Sequence, residues 1–154
     1  MFCPDDLAGI VDLFGALTRS ELDEALRELA YRRGEDVPDG CVDDAVAAFA
    51  LVELDDDGHA EPLLVSGPAA FPTLPDGAED LPHILDVSPR SVDEKAVGRA
   101  AEARLRGEAA RAVADGDAAR ADELLDVSYD LEAWTPVDLD GVRRRLDDAR
   151  DETN

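Results

Sequence analysis

His59, His83, Cys3 and Cys41 are the histidines and cysteines of this 154-residue sequence, and they are its natural proton shuttles, nucleophiles and soft metal ligands. No two of them stand at zinc-ligand spacing, so a zinc site would require distant positions to converge. Without a C-x-x-C pair, and in the reducing compartment expected below, the cysteines read as free thiols, Cys41 as a small core residue and Cys3 as a terminal one. The run from Glu53 to Gly58 superficially matches a calcium loop, because Asp55 and Asp57 precede a glycine at the sixth position. Leu64 occupies the place of the bidentate glutamate and Pro62 interrupts the loop, which favours a solvated turn. Neither G-x-x-x-x-G-K-[ST] nor G-x-G-x-x-G is present to cradle phosphate, and G-x-S-x-G is missing. The expectation is therefore no catalytic residue, no cofactor and no metal. An enzyme of unrecognised type stays open as a third reading, recognisable by a concave pocket that joins His83 to a desolvated carboxylate.

Binding chemistry rests on the arginines. Arg32 and Arg33 form an adjacent pair, and Arg143, Arg144 and Arg145 form the one concentrated basic run. Either group could meet a phosphate backbone or an acidic partner. Asp138, Asp140, Asp147 and Asp148 surround the triple run, so a face of internal ion pairs is its alternative reading. These five arginines are the candidate contacts.

Around them the chain is acidic throughout: 25 Asp and 13 Glu face 14 Arg and the single Lys95, for a formal charge of -23. A hydrophobic fraction of 45% is enough for a core, so the chain should fold if its carboxylates are screened. At about 1 M salt the Debye length falls to about 3 Å, and the repulsion is muted. Abundant Asp, Ala, Val and Arg with scarce Lys is similar to proteins of salt-accumulating halophilic archaea. No apolar run approaches the about 18 residues of a membrane span, and the first residues lack a basic region and an apolar stretch, so a cytoplasmic, membrane-free protein is expected.

The elements that must carry these residues can be read from spacing. Leu7, Ile10, Val11, Phe14 and Leu17 predict a helix over 5–16, with Asp5 and Asp6 at its start. Thr18 and Glu21 form a capping box, stapled by Leu17 and Leu22, for a second helix that Gly34 ends. After Pro38-Asp39-Gly40 a short third helix carries Val42, Ala45, Val46 and Phe49. Leu51–Leu54 and Leu63–Val65 read as a hairpin around Asp55-Asp56-Asp57-Gly58, with His59 beside the turn. Residues 67–90 alternate Pro68, Pro72, Pro75, Pro82 and Pro89 with Phe71, Leu74, Leu81, Ile84 and Leu85, the pattern of an ordered crossing segment. A second box at Ser91–Glu94 opens a long Ala-rich helix, Gly116 ends it, and Asp117 caps a partner, giving a helical hairpin over 92–127. Thr135-Pro136 predicts the start of a last helix bearing Leu139, Val142 and Leu146, with fraying from Asp151 onward. The hairpin is reminiscent of tetratricopeptide pairs, but no second copy exists and a solenoid is rejected.

The fold class expected is mainly α with a small β-hairpin. Three divisions are drawn: a unit over 1–66, the Pro-rich crossing over 67–90 and a helical region over 91–150, all within one compact body. The order helix, helix, helix, hairpin resembles a winged-helix domain; a packing unit with no nucleic-acid role is the alternative. The stretches at 13–22 (Leu-Phe-Gly-Ala-Leu-Thr-Arg-Ser-Glu-Leu), 66–75 (Ser-Gly-Pro-Ala-Ala-Phe-Pro-Thr-Leu-Pro) and 80–87 (Asp-Leu-Pro-His-Ile-Leu-Asp-Val) resemble a small haloarchaeal family of unknown function, a resemblance that implies no activity. The leading expectation is a non-enzymatic interaction protein with an unidentified protein partner or self-association. A transcription-linked DNA-binding regulator comes second: the third helix brings Asp43 and Asp44, and no base, to where a groove reader needs cations, so charge disfavours DNA.

Overall fold

The computed structural model describes residues 2–55 and 60–151. Residues 56–59, with His59 and part of the calcium-like run, and residues 152–154 lie outside the described residues, whereas Asp151, where fraying is expected to begin, is helical. The chain is mainly helical with one small antiparallel sheet, and it divides into two compact units, Met1–Val97 and Gly98–Asn154.

In the first unit α1 spans Pro4–Phe14. Proline at its first position costs no hydrogen bond, and the Asp6 carboxylate accepts from the Cys3 N–H at 3.1 Å, so the helix opens one residue earlier than Asp5 suggests. It stops at Gly15, whose φ of 86° few side chains tolerate. Strand β1, Leu17–Thr18, leads directly into α2, Arg19–Arg33. The capping box forms as the sequence predicts: Glu21 N–H donates to Thr18 Oγ1 at 3.2 Å, and Thr18 N–H donates to Glu21 Oε1 at 2.9 Å. Gly34 closes α2 in the left-handed conformation.

Helix α3, Cys41–Ala47, is shorter than the apolar spacing implies. Phe49, read from sequence as a residue of its buried face, instead takes φ 62° beyond the helix end, while Ala50 N–H returns to the Ala45 carbonyl at 3.0 Å. This is a helix-closing turn normally given to glycine, and the Phe49 side chain is fully buried.

Strands β2, Leu51–Leu54, and β3, Leu63–Ser66, pair antiparallel, with Val52 opposite Val65 and Leu54 opposite Leu63. Strand β1 adds to the other edge of β3, Leu17 opposite Leu64, giving the order β1-β3-β2. The sequence reading lacks β1, because two residues are too few to show an alternating pattern. Leu7, Ile10, Phe14, Leu22, Leu26, Leu29, Leu51 and Leu64 form one buried cluster with Ala78, Leu81 and Leu85 of the Pro-rich segment, which carries a 3-10 turn at Ala78–Asp80 and the short helix α4, Leu81–Ile84. This segment lies on α1. A Cβ on Gly9 would stand 1.9 Å from the Thr73 carbonyl oxygen, and one on Gly15 2.0 Å from that of Arg90, so only glycine admits the strap.

Helix α5, Glu94–Asp115, which belongs to the second unit from Gly98 onward, pairs antiparallel with α6, Ala118–Trp134. Gly98 near the start of α5 lies against the Thr135 side chain just beyond α6, and Arg120 reaches Glu108 at 3.6 Å near the turn. Helix α5 begins beyond the Ser91 box: the Asp93 carboxylate accepts from Lys95 N–H at 3.1 Å, and an aspartate caps as well as a serine while also suiting the positive helix end. Asp117 caps α6 as expected, accepting from Arg120 N–H at 3.0 Å. Helix α6 runs seven residues past 127, and Thr135-Pro136 terminates it instead of starting α7, Asp140–Asp151. Thr135 is extended, the conformation a following proline enforces, and α7 opens after Asp138, whose carboxylate accepts from Asp140 N–H at 3.0 Å. Ala101, Leu105, Ala109, Ala121, Leu124, Leu131, Leu139, Val142 and Leu146 are buried. Among the described residues no helix is long and apolar enough to cross a membrane.

Candidate functional site

Helix α2 presents Arg19, Asp23 and Arg27 at four-residue intervals along one face of the helix, the first two half-buried and Arg27 exposed. Facing it are Val37, Pro38, Asp39 and the first turn of α3. Together they line an open cavity of about 360 Å³.

Arg19 anchors one end of this cavity. It donates to Asp43 at 2.7 Å and Glu53 at 2.9 Å, tying the start of α2 to α3 and β2. Burial works against its charge, but the bonds it donates to Glu53 and Asp43 outweigh that and raise its pKa. Cys41 is half-buried in the cavity lining, and burial together with the neighbouring Asp23 charge pushes its thiol up, which makes it a weak nucleophile at neutral pH. Cys3 is exposed, and both cysteines are free thiols.

The arginines singled out from sequence are separated by the fold. Arg32 pairs with Glu28 one turn back at 3.2 Å. Arg33 donates to the Asp76 carbonyl at 3.2 Å and covers the Phe2 ring, so it braces the strap. Arg143 turns inward: it reaches Glu132 at 2.8 Å and Asp140 at 2.5 Å, and lies 4.6 Å above the Tyr129 ring. The bond from Arg143 holds the Glu132 carboxyl below its usual range. Arg144 and Arg145 are exposed and make no ion pair among the described residues, so of the triple run these two remain available to a partner.

Glu132, Asp138 and Asp140 bring carboxylate oxygens within 4.8 Å of one another. Arg143 already neutralises Glu132 and Asp140, and Leu139 and Asp140 N–H groups occupy oxygens of Glu132 and Asp138, so the cluster reads as an arginine seat. His83 stands exposed on α4 and does not line the cavity.

Sequence reasoning passed over Arg19, Asp23 and Arg27. Their four-residue spacing was a visible signal, but nothing in the sequence tells which exposed helical stripe faces a neighbouring loop. The sequence profile of Family of unknown function (DUF7109) matches residues 5–151, which covers both compact units. The chain belongs to this family. No curated protein and no solved structure matches it.

Charge divides unequally between the units. Residues 1–97 hold 23 acidic and 6 basic side chains, and residues 98–154 hold 15 and 9. The first unit thus carries -17 of the total -23.

Proposed function

We propose that this protein is a non-enzymatic interaction protein of a high-salt cytoplasm, whose first unit docks a protein partner. The observation that carries the reading is the exposure of Tyr31 at 84% and Phe71 at 79% on a unit otherwise coated with carboxylates. Large aromatic side chains are enriched at protein interfaces, and leaving them in water forgoes the burial that most such rings obtain. The acidic surround favours a partner with a basic or neutral face and discourages self-association through like charge.

The order α1, β1, α2, α3, β2, β3 supports a winged-helix-like first unit, which keeps a DNA-binding regulator as the second reading. Charge argues against it. Helix α3 exposes Asp43 and Asp44, Arg32 and Arg33 are engaged within the chain, and molar salt removes the counterion-release term that drives phosphate binding.

The test is affinity capture of the intact chain in molar KCl, with Tyr31→Ser and Phe71→Ser as controls. A stoichiometric partner held by the wild type and lost by both variants, with melting unchanged, supports the reading. Capture equal in wild type and variants overturns the assignment of the surface. Specific DNA retardation in molar KCl, lost in Arg32→Ala and Arg33→Ala, would favour the regulator instead.

A further inference from the structure

We propose that the cavity between α2 and the 37–43 segment binds a small zwitterionic solute of the free amino acid class. Its volume of about 360 Å³ falls near the lower end of the range of small-molecule sites, about 300–1,000 Å³, which suits a ligand of that size. Its lining carries both signs of charge. Arg19 is locked to Asp43 and Glu53 and serves as wall. Arg27, Asp23 and Asp39 make no ion pair among the described residues, although Asp23 and Arg27 stand at the four-residue spacing at which helical side chains readily pair. Val37, Pro38 and Val42 supply an apolar side.

This set selects by exclusion. A simple anion attracted to Arg27 would meet the Asp23 and Asp39 carboxylates, and a simple cation attracted to the carboxylates would meet Arg27. A ligand with a carboxylate for Arg27, an ammonium for Asp23 and Asp39, and a hydrocarbon side chain for Val37, Pro38 and Val42 satisfies all of them. The inference is independent of the protein-docking surface, since neither Tyr31 nor Phe71 lines the cavity.

Cys41 provides the readout, because it lines the cavity while Cys3 lies outside it as an exposed internal reference. Iodoacetamide alkylation of both thiols is followed in the intact chain in molar KCl, with thiol-free proteinogenic amino acids added singly at millimolar concentration. L-Leucine is compared with 4-methylpentanoate, which lacks the ammonium, and with 3-methylbutylamine, which lacks the carboxylate. At least one amino acid should slow Cys41 alkylation saturably without changing Cys3, and removing either charged group should abolish the effect. Arg27→Ala, with protection measured against its own unprotected labelling rate, should raise the concentration for half-protection about tenfold, the loss of one charged hydrogen bond, and leave melting unchanged, since alanine suits an exposed helical position. No protection by any amino acid, equal protection by the single-charge analogues, or protection unaltered in Arg27→Ala each overturns the proposal.

Discussion

Arg90 closes on Glu21 with two parallel hydrogen bonds, Nη1 to Oε1 at 2.6 Å and Nη2 to Oε2 at 3.0 Å, and a third bond runs from Nη1 to the Ala16 carbonyl at 3.1 Å. Glu21 is also the residue that completes the capping box of α2. One carboxylate therefore starts a helix and holds the end of the Pro-rich strap, while the Arg90 N–H donates to the Phe14 carbonyl. Each side chain is about one-fifth exposed, which leaves the pair only partly screened.

Glu21→Gln should destabilise the first unit by about 1.5–3 kcal/mol at neutral pH, the range for hydrogen bonds to charged groups. The Arg90 bond is the main cause that lowers the Glu21 pKa below its ordinary 4.5. A carboxyl whose pKa is depressed by folding stabilises the fold above its unfolded value, and the contribution fades as pH falls through the folded value. The difference in denaturant midpoint between wild type and Glu21→Gln should accordingly be full at pH 7 and shrink below pH 4.5. A difference that stays constant down to about pH 3, well over one unit further down, would mean that charge plays no part.

Gly9→Ala forces a choice between moving the strap and bending α1, because the added Cβ meets backbone. The expected loss is about 1–3 kcal/mol, the cost of overpacking, even though alanine is the better helix former. Gly107→Ala, at a helical position with open space around it, serves as the comparison and should stabilise the second unit by about 0.5–1 kcal/mol. Chemical denaturation of both variants measures the contrast.

Phe49→Gly sets two effects against each other. Glycine removes the left-handed strain, about 1–2 kcal/mol, and deletes a fully buried aromatic ring, about 3–5 kcal/mol. Burial should win, with a net loss of about 1–4 kcal/mol by that difference. A variant as stable as wild type would show that the ring contributes little to the core.

The three consecutive arginines should behave differently. Arg143→Ala removes bonds to Glu132 and Asp140 and the stack on Tyr129, so thermal melting of the second unit should fall. Arg144→Ala and Arg145→Ala should shift stability by no more than about 0.5 kcal/mol, as exposed substitutions do. Equal effects at all three positions would contradict the inward placement of Arg143.

Local rules carried most of the helical layout. Thr18 with Glu21, Gly34, Gly116 and Asp117 act over three or four residues, and such signals are complete within the sequence. Failures occurred where a local signal had two uses. Thr135-Pro136 can begin a helix or end one, and only the continuation of α6 to Trp134 decides. Phe49 fits the apolar spacing of α3 but takes the left-handed turn, since its burial outweighs its backbone preference. Strand β1 and the Arg90–Glu21 pair depend on partners 45 or more positions away, beyond any periodicity. The cavity lining was legible as residue types and not as a site, because the approach of 37–43 to α2 is a tertiary fact.

Screening of the acidic coat underlies the proposed setting and the argument against DNA, and a salt titration of hydrogen exchange tests it most directly. As KCl falls from molar to millimolar, amide protection in residues 2–55 and 60–97, the unit bearing -17, should collapse first, and protection in the second unit should persist to lower salt. Equal protection of the first unit in millimolar and molar KCl would contradict the account.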